Sequence, residues 1–274
     1  MHKKRIILLI FSLISLFLFI YFYKFNMEMN LTKENIDFIN QDKGLNLIFK
    51  MPNMFDIYVR IITESSMKIL IFIAPLIVTI PSLKNFYNIY KSGMIKTIVN
   101  TRKKYDIFMN NMIFNSYKSA LILPCIFIYI IIVCCCYSKL SLTEPMLISN
   151  DAYFNSDLFF IFITIINLFL AGIFYINIGL IIINNFNNFY LLNIFIYILF
   201  LLISIFSELI LGMGLYFITK VEVFGNIFSF FNIWFNGDCG NNLFVTLYLL
   251  TINTISIIFV KKKFKDIEIV ALNV

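Results

Sequence analysis

The sequence predicts an all-α polytopic membrane protein, a single transmembrane domain of six helices with both termini in the cytoplasm. Three observations lead there. Of 274 residues 61% are apolar and 14% charged, with mean hydropathy +0.89, whereas soluble domains average about 45 to 50% apolar and roughly 25% charged. The apolar residues gather into six runs long enough to cross a hydrocarbon core of about 30 Å as helices. The basic residues gather on one side of those runs. A β-barrel is excluded because its strands alternate apolar and polar residues over about 10 positions, while these runs are apolar on every face.

The first run, Ile6 to Tyr23, follows His2, Lys3, Lys4 and Arg5 and exits through Tyr21, Phe22, Tyr23 and Lys24. No small-residue cleavage site follows it, so it reads as a retained anchor. The second and third, Met67 to Leu83 and Ser119 to Tyr137, contain Pro75, Pro81 and Pro124, which free backbone groups and predict kinks. The fourth and fifth, Leu158 to Ile183 and Phe189 to Ile210, are separated only by Asn184, Asn185, Phe186, Asn187 and Asn188. That turn predicts an antiparallel hairpin. The sixth is Leu243 to Val260.

Orientation follows from retention of Lys and Arg on the cytoplasmic side. The side holding both termini carries 14 of the 22 basic residues against three acids, Asp106, Asp266 and Glu268. The net +7 is therefore positive-inside bias, and no nucleic-acid partner is expected.

The connections differ in kind. The external loop 24–66 looks structured: Thr32 is placed to cap a helix, and from Asn53 onward Met54, Ile57, Tyr58, Ile61 and Ile62 share one face with Asp56, Arg60 and Glu64 on the other. That amphipathic run is expected at the outer membrane interface. The external region 211–242 includes Phe224, Phe228, Phe231 and Trp234, too apolar for a solvated loop and too short to span. It reads as re-entrant, or as an interfacial aromatic anchor, with Gly237 and Gly240 turning the chain into the sixth run.

Absent chemistry narrows function. None of the nine glycines precedes a lysine, so there is no P-loop to cradle ATP. His2 is the lone histidine, which removes His-based metal sites and catalytic triads. The spans hold one acid, Glu208, too few for a carboxylate-pair protease. No enzymatic centre, metal or cofactor is expected in this chain. Cys134, Cys135 and Cys136 are consecutive, so they point in different directions and cannot converge on one metal. A Cys136–Cys239 bridge is one pairing their shared external placement would allow. An intramembrane carboxylate is costly, and Glu208, followed by Gly212 and Gly214, is a functional candidate, or a terminal Glu reaching the outer interface. Asn167, Asn177 and Asn193 are expected to bond between helices, and Gly172 and Gly179 to permit close approach.

The cytoplasmic segment 84–118 is the most distinctive. The second span extends through Asn85, Phe86, Tyr87, Ile89 and Tyr90, then breaks at Ser92 and Gly93. In the following short run Met94, Ile95, Ile98 and Val99 cluster while Lys96 and Thr97 turn away, and Thr101 caps a helix starting near Lys103. An apolar knob on a basic elbow suits docking into a groove of another protein; anionic lipid is the other surface it could meet.

This pattern resembles the membrane-spanning subunits of ABC-2 type transporters, the small bacterial exporter permeases, in which a Ser-Gly or Gly-Thr step opens a coupling helix and an Arg-containing turn leads into helix three. Ser92, Gly93, the run Met94, Ile95, Lys96, Ile98 and Val99, and then Thr101 and Arg102 match it. The acid often found before the glycine is replaced here by Asn88, Ile89 and Tyr90, and the early lysine of helix three is displaced to Lys118. The resemblance implies a separate cytoplasmic P-loop ATPase that holds ATP and Mg, a second permease copy or related permease, and residence in a bacterial plasma membrane. It also implies a translocation path or outer gate in which Glu208, Phe228, Phe231 and Trp234 take part. The apolar spans and the family point to an amphipathic peptide or lipid-like cargo. The competing expectation is a stand-alone membrane immunity or sensor protein that binds a peptide without ATP.

Overall fold

The computed structural model describes residues 2–43, 54–63, 65–92, 105–137, 157–219, 233–234 and 239–272. All regular structure among them is helical. The helices are α1 (His2–Lys43), α2 (Met54–Thr63), α3 (Ser65–Lys91), α4 (Tyr105–Tyr117), α5 (Ile122–Tyr137), α6 (Asp157–Ile182), α7 (Phe189–Phe206), α8 (Gly214–Thr219) and α9 (Cys239–Leu272). A 3-10 turn (Lys118–Leu121) joins α4 to α5, another (Ile183–Asn185) follows α6, and a π-helical turn (Ser207–Met213) joins α7 to α8. Six of these stretches are long and apolar enough to cross a membrane: Ile10–Ile36, Ile69–Lys91, Ile107–Cys136, Phe160–Asn185, Phe189–Ile210 and Leu243–Lys265. That is the architecture of a multi-pass membrane protein.

The chain divides into two compact units, Met1–Ile69 with Ile128–Leu142, and Leu70–Phe127 with Thr143–Val274. In the first unit α1 runs unbroken for 42 residues, about 63 Å at 1.5 Å per residue and twice what a bilayer requires. Thr32, expected to cap a new helix, instead donates to the Glu28 carbonyl at 2.8 Å within α1. Neither Gly nor Pro occurs between Lys24 and Lys43, so nothing in the sequence stops the helix. Ser15 and Tyr129 share a 2.8 Å hydroxyl contact, and the Phe11 ring meets Tyr129 edge-on at 5.6 Å.

Helix α2 forms where the amphipathic pattern placed it, but its apolar face is not left to a bilayer interface. Met54, Ile57, Tyr58, Ile61 and Ile62 are all buried in protein, and burial, with Cys134 nearby, pushes the Tyr58 hydroxyl well above its ordinary pKa. Cys134 is buried, Cys135 half-buried and Cys136 an exposed free thiol, three orientations from three consecutive positions.

In the second unit α6 is the central helix, packed against α9, α7 and the 3-10 turn Lys118–Leu121. Pro124 accounts for that turn: it has no N–H for the Ala120 carbonyl and its ring crowds that carbonyl, so the preceding residues tighten to 3-10. Ala120 then lies directly on Gly172, where an added Cβ would come within 2.9 Å of Ala120 Cβ and 3.1 Å of its carbonyl oxygen. Helix α3 continues through Pro75 and Pro81. The short connection between α6 and α7 is closed by Asn188, which caps α7 by accepting the Tyr190 N–H at 2.8 Å.

Candidate functional site

Within the second unit the basic end of the helices is built around Phe264. This aromatic residue follows Lys261, Lys262 and Lys263 because α9 continues past the expected end of the sixth span at Val260, as far as Leu272. Phe86, near the end of α3, packs on the Phe264 ring at 5.2 Å. Tyr105, the first residue of α4, donates its hydroxyl to the Phe264 carbonyl at 3.1 Å. All three are buried. The two helix ends that flank residues 93–104 are therefore held by one residue of the last helix.

The elbow itself ends in a regular helical stop. Ser92 N–H donates to the Asn88 carbonyl at 3.0 Å and its hydroxyl to the Ile89 carbonyl at 2.9 Å. Lys91 reaches sideways to the turn between α6 and α7, donating to Asn187 Oδ1 at 2.6 Å, while Tyr87 packs on Phe189 at 5.5 Å. Lys263 donates to the Ile181 carbonyl, a cation at the negative end of α6. These contacts weld the ends of α3 and α6, the starts of α4 and α7 and the Lys263–Phe264 stretch of α9 into one platform. Of the coupling residues expected from sequence, Ser92 stands on this platform; Gly93, Met94, Ile95, Lys96, Ile98, Val99, Thr101 and Arg102 lie outside the described residues.

Above the platform runs a ladder of uncharged polar side chains. Asn177 on α6 accepts from the Tyr117 hydroxyl at 2.6 Å and donates to Ser256 Oγ at 2.8 Å and Asn253 Oδ1 at 3.5 Å. Asn253 donates to the Leu170 and Leu249 carbonyls, each at 2.9 Å. Thr246 donates to Asn167 at 2.6 Å, and Thr79 to Asn193 at 3.3 Å. On α9 the inward residues Leu249, Asn253, Ser256 and Val260 recur at alternating steps of four and three, the seam of a helix packed along its length. The three asparagines thus bond between helices as their sequence positions predicted. Among the described residues the ladder contains no Asp, Glu, Lys or Arg side chain, and its amides and hydroxyls fix helix register.

Glu208 occupies the π-helical turn at the other end of α7, half-buried. Ser207 beside it donates to the Ser204 carbonyl at 2.9 Å and hydrogen-bonds Tyr248 on α9. Widened turns of this kind occur often at functional sites. Gly212 is buried, while Gly214 has open space where a side chain would stand. Trp234 and Ile233 form a short, buried 3-10 turn. Phe228 and Phe231 lie outside the described residues, so of the four residues expected at an outer gate only Glu208 and Trp234 have described positions. Among the described residues no three His, Cys, Asp or Glu side chains gather to hold a metal.

Sequence reasoning missed the role of Phe264 and the π-helical turn. The first had a signal: Lys261 to Val270 contains neither Gly nor Pro, so the helix had no reason to end at the membrane. No protein-family model, curated protein or solved structure matches this chain.

Proposed function

We propose that the chain is the permease subunit of an ATP-binding cassette exporter of the ABC-2 type, moving an amphipathic peptide or lipid-like substrate out of a bacterial cell. The observation that supports this most is the anchoring of segment 93–104. A coupling segment must pass force from a moving ATPase to the membrane helices, and both of its ends here seat on Phe264, with Lys91 tied to the α6–α7 turn. A push on the segment is thereby delivered to several helices at once. Its apolar residues Met94, Ile95, Ile98 and Val99 supply a face for a groove in a partner, and the basic end faces the cytoplasm by charge bias.

In this reading ATP and Mg are bound by a separate P-loop ATPase, as the lack of a P-loop here requires of a half-transporter. Two permease copies, or this chain with a related one, line the path. The chain's own residues transmit and guide: the elbow receives ATPase closure, the polar ladder keeps α6 and α9 in register, and the π-helical turn around Glu208 gives a point of local adjustment toward the exit.

Co-purification with a P-loop ATPase encoded beside this chain's gene tests the reading, comparing wild type with Gly93→Pro and Ile98→Asp. Wild type is expected to retain and stimulate the ATPase, and both variants to lose stimulation. An ATPase that stays bound and fully stimulated in both would remove the coupling role from this segment.

A further inference from the structure

Beside Phe264 the basic end holds a cleft of about 360 Å³ lined by Tyr105, Met109, Asn110, Ile113, Lys261 and Lys265 together with Phe264 itself. Its floor is buried and largely apolar, formed by Met109, Phe264 and the Tyr105 ring, while Asn110, Lys261 and Lys265 are exposed at its rim. Both rim lysines line the hollow. They stand one helical turn apart on α9, both directed into one hollow, so their charges add there.

We propose that this cleft is a binding site for the phosphate headgroup of an anionic membrane lipid. The depth is right. Lys261 follows directly on the apolar run Leu243 to Val260, 18 residues long or about 27 Å of helix, which places the cleft where lipid phosphates lie at the edge of the hydrocarbon core. The charge is right, since Arg102–Asp106 and Lys261–Glu268 together hold seven basic residues against three acids, and basic pockets between spans select anionic headgroups. The size is right too: the volume falls within the range of about 300–1,000 Å³ seen for small-molecule sites, enough for a phosphate and its ester substituent. The chemistry divides as a lipid requires. Lysine ammoniums are point-charge partners for phosphate oxygens, the Asn110 amide adds a donor, and exposed Phe114 and Ile258, one helical turn from Asn110 and Lys261 respectively, offer apolar surface for acyl chains. A soluble anion would have no use for that last feature. The proposal needs only the membrane placement of α4 and α9 and is independent of the exporter reading.

Native mass spectrometry of the full detergent-purified chain, exchanged into phosphatidylglycerol or phosphatidylcholine, tests it. Phosphatidylglycerol is expected to remain bound at collision energies that strip phosphatidylcholine. Retention should fall several-fold in the double variant Lys261→Gln with Lys265→Gln. It should also fall in Asn110→Trp, which fills the cleft from an exposed position without changing charge. Lys262→Gln, which removes a neighbouring charge outside the cleft, should keep wild-type retention, and millimolar inorganic phosphate should leave the lipid in place. Equal retention of the two lipids, undiminished retention in either cleft variant, or displacement by inorganic phosphate would overturn the assignment, the last by making the free anion the ligand.

Discussion

The Lys91 ammonium donates to the Asn187 side-chain oxygen at 2.6 Å, across 96 residues of sequence. The bond is exposed, so its effect on stability is small; what it does is fasten the end of α3 to the α6–α7 turn. On the proposed exporter reading, Lys91→Met and Asn187→Ala are each expected to lower stimulation of a bound ATPase while shifting the unfolding midpoint little. The double variant should be no worse than the more affected single one, because both remove the same contact. Fully additive losses would show that the two residues act separately.

The glycines of α6 should respond unequally to the same change. In Gly172→Ala the new methyl meets the backbone and Cβ of Ala120 at 2.9 to 3.1 Å, and backbone cannot swing aside. In Gly179→Ala the obstacle is the tip of the Leu83 side chain, with Ile196 Cδ1 at 3.1 Å, and both can rotate. Overpacking costs about 1–3 kcal/mol against a helix-propensity gain of up to about 1 kcal/mol for replacing Gly by Ala. Gly172→Ala should therefore be destabilised on balance and Gly179→Ala close to neutral, as measured by unfolding from detergent micelles. The reverse order would mean that the Ala120 contact is not close.

Asn177 makes three inter-helix hydrogen bonds, to Tyr117, Asn253 and Ser256, whereas Asn193 accepts one, from Thr79. At about 0.6 kcal/mol per such bond within a membrane, Asn177→Leu should cost roughly 1–2 kcal/mol and Asn193→Leu less than about 1. Titration with sodium dodecyl sulfate reads both. Equal costs would argue that Asn177 is not the node of the ladder.

Tyr58 links stability to pH. Its folded pKa lies well above 10 because the ring is buried, so above pH 10 the unfolded chain releases a proton that the folded chain keeps. Stability from this residue is complete below about pH 10 and declines as pH rises further, by at most about 1.4 kcal/mol per pH unit. Tyr58→Phe should show a shallower alkaline decline than wild type in the same detergent. Identical slopes would mean that the Tyr58 hydroxyl reaches water.

Glu208→Gln keeps the size of the side chain and removes its charge. If the chain is the proposed permease and the π-helical turn is part of its exit, export or resistance should fall several-fold while expression and ATPase binding are unchanged. Unaltered transport would take Glu208 out of the mechanism.

Composition and spacing made the membrane architecture legible, because six long apolar runs with polar residues turned inward leave the chain little choice but to cross a bilayer as packed helices. The same holds for Asn167, Asn177, Asn193 and the two glycines, whose neighbours matched expectation. Three features were hidden for physical reasons. The amphipathic pattern of α2 says that one face avoids water but not whether lipid or protein covers it. Thr32 has the side chain of a cap, yet whether it caps depends on a helix break that Lys24 to Lys43 does not contain. The widening at Ser207–Met213 reflects how α7 meets its neighbours, and no local residue preference encodes that. At the basic end the lysines carry a strong topological signal, and it masks the fact that Phe264 among them is a structural anchor.

The grip of Phe264 on Phe86 and Tyr105 also separates two properties that a loop usually mixes. Because the closure of residues 93–104 is secured by buried aromatic contacts at its ends, its length is nearly free: doubling it costs only about 0.6 kcal/mol of chain entropy. A flexible insertion after Gly93 should then yield a chain that folds and reaches the membrane like wild type and, on the proposed exporter reading, one whose helices no longer hear the motor, a disconnected clutch rather than a broken machine.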